Sequence, residues 1–345
     1  MTPEKKLKIQ NILLIITVGI FFGLLYNFLF YAHTLTEFTE AAVVSILIGL
    51  LVGVLEEFVF YKIFQALPFL AVFTIRTVLY SVLTSVVLCL VLSIEIAFVS
   101  QITYGQAVRE YLASDFFKRD MVFTFLFIIL ILFVSQVTLL IGRANFIRLL
   151  LGLYHQPREV ARIFMFVDLA DSTSIAEKMS NKRFSSFIKE CFYDLSDAIM
   201  MYDGEIYQYV GDEIIVSWPI QHKNLKCIKS FFKMKEIIYK KRNLYRSTYG
   251  VIPEFKAGIH AGKVIVTSVG KQKTEIVYHG DVLNTTARIE KKCVELKQSL
   301  LISGDMLNHL RFDNDFVVEE TGQIELKGKS QKLYLYGIKP VELES

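Results

Sequence analysis

Four long apolar segments occupy the first 145 residues of this 345-residue chain and set the main constraint on its fold. They cover residues 12–31, 41–60, 77–99 and 121–141. Each is close to the roughly 20 residues that an α-helix needs to cross the hydrocarbon core of a bilayer. The mean hydropathy of +0.43 is also too apolar for an ordinary soluble protein. We therefore predict an all-α membrane domain with four transmembrane helices over residues 1–145, in contact with membrane lipid.

The distribution of Lys and Arg predicts how this domain is oriented. Lys5, Lys6 and Lys8 precede the first segment and Arg148 follows the last, whereas the loop at residues 33–40 contains neither residue type. Because cytoplasmic loops are enriched in Lys and Arg, we expect both ends in the cytoplasm, in a cell (inner or plasma) membrane. The first segment could instead be a signal peptide, but no small-residue cleavage site follows it, so we interpret it as an anchor.

A short connector, residues 146–160, leads to a polar half, residues 161–340. Pro157 ends the helix that continues from the last apolar segment, because proline lacks a backbone donor and disfavours helix in the residue before it. Beyond it, short strand-like runs alternate with helical ones in a βαββαβ-like order with extra strands. That order predicts an α+β sheet with helices on one face.

Some details of that pattern can be stated as separate predictions. A turn at Ala261 and Gly262 is expected to split one strand-like stretch into strands 255–260 and 263–269. The Lys- and Arg-rich stretch at residues 223–245 is expected to form one helix.

Two strand-like runs lead into aspartates. Residues 162–167 end on Asp168, and Asp212 lies in a Gly-Asp turn between the runs 205–209 and 214–218. A pair of strand-end carboxylates suits two Mg²⁺ ions about 3.5–4 Å apart, since these ions take hard oxygen ligands. Gly-Asp is also an ordinary turn sequence, so neither aspartate identifies a metal site by itself.

A third motif begins at Gly280 and reads Gly-Asp-x-x-Asn-x-x-x-Arg. Helical spacing places Asn284 and Arg288 on one face, one turn apart. An amide and a guanidinium in that arrangement could grip a transferring phosphate and its ribose. The alternative is an ordinary capped amphipathic helix whose polar residues face outward.

With these motifs in this order, followed by Glu-Leu-Lys-Gly-Lys at residues 325–329, the chain resembles the class III nucleotidyl cyclases, which make cyclic AMP or cyclic GMP. The resemblance covers about half the chain. It implies a palm-like, ferredoxin-like sheet and two Mg²⁺ (or Mn²⁺) ions that activate ATP or GTP. The implied metal ligands are Asp168, Asp212 and the backbone carbonyl of Leu169.

The resemblance also implies roles for three further residues. In the family, the Asn and Arg of the helix orient the ribose and stabilise the transition state, which maps to Asn284 and Arg288. The Lys of the late strand contacts the terminal phosphates, which maps to Lys327. The metal ligands and these groups face each other across a dimer interface in the family. This chain carries one copy of each set, which implies a homodimer with shared sites.

Two purine-selecting positions depart from the family pattern. Adenylyl cyclases usually carry Lys, and guanylyl cyclases Glu, where this chain has Gln208. The second position is often Asp or Thr in adenylyl cyclases and Cys in guanylyl cyclases, and here it is Val277. A glutamine amide both donates and accepts hydrogen bonds, so it could suit either purine. We expect ATP rather than GTP, because neither position carries the Glu/Cys pair that guanine requires.

Other functions fit parts of the sequence. The run at residues 210–214 resembles the Gly-Gly-Asp-Glu-Phe motif of diguanylate cyclases, but that reading leaves the Gly280 motif and Lys327 unexplained. A catalytically weak or dead cyclase-like receptor would be compatible with Gln208 and Val277. The basic stretch near residues 223–246 lacks an aromatic-basic groove motif, so we expect no nucleic acid partner.

Overall fold

The computed structural model describes residues 3–30, 34–60, 68–220, 225–312, 315–325 and 332–341. The chain divides into two compact units, Met1–Ile141 and Gly142–Ser345. Apart from short connections, the described residues of the first unit are helical. Its elements are α1 (Pro3–Phe30), α2 (Leu35–Val54), a π-helical segment (Leu55–Phe60), α3 (Phe69–Ser100), α4 (Tyr104–Ala113) and α5 (Asp115–Ile141).

Four helical segments of this unit are long and apolar enough to cross a membrane, as the sequence predicts. They are Asn11–Phe30, Glu37–Phe58, Phe69–Ser100 and Asp115–Thr138. Helix α3 begins at Phe69, before residue 77, the predicted start of the third span. It includes Arg76, whose guanidinium lies 3.4 Å from the Glu56 carboxylate. The short helix α4 was not predicted, since it is amphipathic rather than uniformly apolar.

Close packing of α1 on α2 depends on glycine. A Cβ atom at Gly49 would lie 2.8 Å from the Cα of Ile16, which is closer than real Cβ contacts allow. Small residues let helix backbones approach closely, and this is the main source of packing between helices in lipid.

The second unit contains the remaining helices and all eight strands of the described residues. They are α6 (Arg143–Leu150), β1 (Arg158–Leu169), α7 (Ser172–Glu177), α8 (Asn181–Met201), β2 (Glu205–Val210), β3 (Glu213–Pro219), α9 (Lys226–Lys240), α10 (Arg242–Tyr249), β4 (Phe255–Val269), β5 (Glu275–His279), α11 (Asp281–Glu295), β6 (Leu300–Ser303), α12 (Gly304–Leu307), β7 (Phe316–Glu325) and β8 (Lys332–Pro340).

The strands form one mixed sheet in the order β2-β3-β1-β4-β6-β8-β7, with β5 paired to β4. Strand β1 lies between β3 and β4 and is antiparallel to both, and β4 and β6 run parallel. The predicted α+β sheet is therefore confirmed. It places the end of β1 beside the start of β3, which positions the candidate site.

The sheet has helices on both faces, so the prediction that they cover one face was wrong. Ile163, Met165 and Val167 of β1 pack with α8 and α9, whereas Phe164 and Phe166 belong to a second core cluster on the opposite face, shared with β5 and the start of α11. The reason lies in β1, which is apolar at consecutive positions and not only at alternate ones. A strand buried on both faces needs a covering layer on each side.

The prediction that one helix continues from the last apolar segment to Pro157 was wrong. Gly142 separates α5 from α6, and α6 ends at Leu150.

Two other element boundaries differ from the sequence prediction. Strand β4 runs unbroken through Gly262, where a Cβ atom would lie 2.7 Å from Val282 Cγ2 of α11. The glycine therefore admits a helix against the sheet rather than forming a turn. The predicted single helix at residues 223–245 consists of α9 and α10, separated at Lys241, and residues 223–224 lie outside the described residues.

Candidate active site

The end of β1 and the start of β3 bring the predicted carboxylates together. Asp168 is paired with Glu213 in the β1–β3 register, so Asp212 lies one residue away in the turn that precedes β3. Gly211 has a φ of +64°, a left-handed conformation that glycine adopts without steric cost. The turn between β2 and β3 thus holds Asp212 beside Asp168 at one end of these strands, and both residues are half-buried.

The electrostatic potential at this end of the strands is strongly negative. Burial and, to a smaller extent, the negative charges of Asp168, Glu290 and Asp212 together raise the pKa of Glu213 to about 7, against a smaller lowering by Lys291. Neighbouring negative charges disfavour ionisation of a carboxyl group. Four carboxyl groups close enough to influence one another in this way form an environment that attracts a cation.

Lys256, which the sequence analysis does not identify, lies among these carboxylates. Lys256 of β4 is the cross-strand partner of Asp168, and its Nζ lies 2.6 Å from Asp168 Oδ2. The same ammonium donates a hydrogen bond to Glu290 Oε1 of α11. The available sequence signals were a Lys near the start of a mainly apolar strand and a Glu on the buried face of an amphipathic helix.

The donor set fits magnesium chemistry when part of the coordination comes from a substrate. Within the described residues, no three His, Cys, Asp or Glu side chains are grouped so that they could hold a metal ion by themselves. Mg²⁺ is commonly held by one or two carboxylates together with waters and substrate phosphates. Asp168 and Asp212 provide two such carboxylates, and Leu169, the third predicted ligand, is buried at the last position of β1.

Helix α11 presents its polar residues on two different faces. Glu290 is 2% exposed and faces Lys256, whereas Asn284 is exposed and Arg288 is half-buried. At 100° per residue, Glu290 lies about 200° around the helix from Arg288 and about 240° from Asn284. The helix therefore places Glu290 near the carboxylates of its own chain, and its Asn284–Arg288 face points away from them.

The residues predicted to select the purine and to bind the phosphates lie on different elements. Gln208 is exposed on β2, directly after the register shift between Ile206 and Gln208 in the β2–β3 pairing. Val277 is half-buried on β5, opposite Thr267 of β4. Lys327 lies outside the described residues, so its role rests on the sequence resemblance.

Comparison with known proteins gives consistent matches for the second unit. The family model of the adenylate and guanylate cyclase catalytic domain matches residues 153–339. Adenylate cyclase 2 of Rhizobium meliloti (strain 1021) is 37% identical over 205 residues, which are 59% of this chain and 56% of that protein. Adenylate cyclase 1 of the same organism is 26% identical over 179 residues, which are 50% of this chain and 27% of that protein. The chain thus spans about half or less of the length of these relatives.

The fold also matches a solved structure. A bacterial light-regulated adenylyl cyclase aligns with a TM-score of 0.53, covering 62% of this chain and 64% of that one, at 18% sequence identity. At this identity the similarity concerns the fold, and it agrees with the sheet and helices described above.

Proposed function

Because this chain belongs to the family of adenylate and guanylate cyclase catalytic domains, we propose that it is a membrane-anchored nucleotide cyclase in intracellular signalling. It converts ATP, and GTP less readily, to the 3′,5′-cyclic nucleotide and pyrophosphate. The observation that carries this proposal is that Asp168 and Asp212 lie together at one end of the sheet, next to Glu213, whose pKa is raised to about 7.

Asp168, Asp212 and the Leu169 carbonyl are the proposed ligands of two Mg²⁺ or Mn²⁺ ions. When bound, such ions lower the pKa of an attacking hydroxyl and neutralise charge on the leaving phosphates. The ribose 3′-oxygen forms a bond to the α-phosphorus, and the bond from that phosphorus to the bridging oxygen breaks. Pyrophosphate leaves on that oxygen, and the hydroxyl proton passes to solvent. Asn284 orients the ribose, and Arg288 and Lys327 stabilise the developing negative charge.

Two chains are needed to complete each site in this proposal. The Asn284–Arg288 face of α11 is turned away from the carboxylates of its own chain, as the helical spacing from Glu290 requires. A second chain related by a twofold axis would bring its α11 to the first chain's metal ligands, and the reverse contact would follow by symmetry. The proposed assembly is therefore a homodimer with two equivalent active sites.

The preference for ATP is proposed to depend on Gln208, which is exposed at the edge of the sheet. Adenine presents an N6–H donor and an N1 acceptor, and one amide can meet both groups. Val277 adds no polar contact, so discrimination against GTP is expected to be modest.

Residues 1–145 are assigned as the membrane domain, 146–160 as the connector and 161–340 as the catalytic domain. The Lys and Arg distribution supports a cytoplasmic catalytic domain, on the side of the membrane where ATP, GTP and Mg²⁺ are available.

The proposal is tested by incubating the purified full-length chain in detergent with ATP or GTP and with Mg²⁺ or Mn²⁺. Products are separated by chromatography and identified by mass spectrometry. Cyclic AMP as the main product supports the proposal. A cyclic dinucleotide from GTP would instead indicate a diguanylate cyclase, and the absence of any cyclic product would indicate a catalytically dead receptor.

A further inference from the structure

Lys256 joins two carboxylates that belong to different elements. Its Nζ lies 2.6 Å from Asp168 Oδ2 on β1 and also donates to Glu290 Oε1 on α11. The side chains of Lys256 and Asp168 are 14% and 22% exposed, and that of Glu290 is 3% exposed. The ammonium is therefore shared between a proposed metal ligand, which solvent can reach, and a carboxylate that solvent barely touches.

The backbone fixes this arrangement. Asp168 and Lys256 are directly opposite each other in the β1–β4 ladder, a relationship that brings side chains on one face into contact. Helix α11 reaches them because β4 carries Gly258, where a Cβ atom would lie 2.3 Å from the Glu290 backbone nitrogen. Any larger residue at position 258 would push Glu290 away from Lys256.

We propose that Lys256 is the internal counter-ion of the metal site. Its ammonium pairs with Asp168 and Glu290 when no divalent cation is bound, and with Glu290 alone when one binds. The proposal rests on the metal-binding role of Asp168 proposed above.

The physical argument is electrostatic. A divalent cation and an ammonium on the same carboxylate repel each other, so a cation that binds Asp168 weakens the contact between Asp168 and Lys256. Leaving a buried charge unpaired is costly, but Glu290 already holds the other side of the ammonium. Lys256 can thus leave Asp168 without becoming unpaired, and Glu290 sets how easily it leaves.

Two variants are expected to change cation affinity in opposite directions. In Glu290→Gln the lysine loses its second carboxylate and stays on Asp168, so Mn²⁺ should bind about tenfold more weakly than to wild type. In the double variant Lys256→Met/Glu290→Gln no ammonium competes for Asp168, so Mn²⁺ should bind about tenfold more tightly. Binding is measured by electron paramagnetic resonance titration of Mn²⁺ into EDTA-treated full-length chain in detergent, without nucleotide.

A matched control is available on α9. Lys233 and Glu236 form an ion pair of 2.8 Å whose side chains are more exposed. The double variant Lys233→Met/Glu236→Gln should bind Mn²⁺ like wild type. Fluorescence of Trp218, the single tryptophan of the chain, shows whether each variant is folded. If Glu290→Gln does not fold, the Lys256→Met/Glu290→Gln variant decides the result.

A further variant separates this inference from the proposed function. If Asp168→Asn removes Mn²⁺ binding, but the Glu290→Gln and Lys256→Met/Glu290→Gln variants bind Mn²⁺ within twofold of wild type, the counter-ion role is wrong and the metal assignment stands. If Asp168→Asn binds Mn²⁺ as tightly as wild type, the metal assignment fails and the counter-ion role fails with it.

Discussion

Arg148 donates two hydrogen bonds of 2.8 Å to the two carboxylate oxygens of Glu205, joining α6 to the start of β2. Glu205 also accepts from Arg162 at 2.6 Å, so one carboxylate serves two guanidinium groups. Burial raises the pKa of Glu205, but the hydrogen bonds and charges of Arg148 and Arg162 outweigh it, and the pKa is lowered overall. This ion pair connects α6, which directly follows α5 in the chain, to the hairpin that carries Gln208 and Asp212.

Removal of this carboxylate should destabilise the second unit more than removal of one of its partners. Glu205→Gln leaves Arg162, which is 5% exposed, without its counter-ion and should cost about 3 kcal/mol of unfolding free energy. Arg148→Gln should cost about 1 kcal/mol, because Glu205 keeps Arg162. Urea unfolding followed by Trp218 fluorescence measures both values.

The matched control for this prediction is the exposed pair of Lys263 and Glu159, whose atoms are 2.8 Å apart. Lys263→Gln should leave the unfolding free energy unchanged within error, because solvent screens this exposed pair. An equal loss in Glu205→Gln and Lys263→Gln would contradict the structural role assigned to Glu205.

The two proposed metal ligands should be essential for activity but not for folding. Asp168→Asn and Asp212→Asn each keep the side-chain shape and remove the charge, so each should lower kcat with Mg²⁺ at least about a hundredfold, roughly 3 kcal/mol of transition-state stabilisation. Asp203→Asn is the control, because Asp203 is also paired with a lysine, Lys226, at 2.6 Å. Near-normal turnover in either ligand variant would show that its carboxylate does not bind the catalytic metal.

These residues illustrate what the sequence could and could not predict. Asp168 and Asp212 can be predicted because each has a local signal. Asp168 ends an apolar run, and Asp212 is the aspartate of a Gly-Asp turn. Lys256 and Glu290 were missed because their importance arises from tertiary pairing, and Lys256 lies 88 residues from Asp168 in the chain. The second helical layer was missed for a similar reason, since the pattern of β1 shows burial on both faces but not which helix covers each face.

Gln208 should control the choice of purine. Glu at this position accepts from the guanine N1–H and N2–H groups, so Gln208→Glu should move the ratio of kcat/KM values toward GTP, whereas Gln208→Lys should move it toward ATP. We expect changes of about tenfold, the value of one hydrogen bond of about 1.4 kcal/mol. An unchanged ratio in both variants would place purine recognition elsewhere.

The raised pKa of Glu213 predicts how stability depends on pH in the presence of EDTA. The pKa is raised from 4.5 to about 7, so between these values the folded state binds more protons than the unfolded state. Stability should therefore fall as pH rises from about 4.5 to about 7, by on the order of 1 kcal/mol once solvent screening of this half-buried group is considered. Glu213→Gln should show a shallower fall in urea unfolding, and an unchanged slope would assign the effect to other groups.

Mixing two inactive variants tests the central claim, that the carboxylates of one chain act with the α11 face of another. Asp168→Asn and Arg288→Ala are co-expressed with different tags, and the heterodimer is confirmed by tandem purification. In each heterodimer one site carries both lesions and the other carries neither, so the tandem-purified heterodimer should have about half of the wild-type cyclase activity per dimer. Confirmed heterodimers that stay as inactive as the separate variants would contradict the shared site.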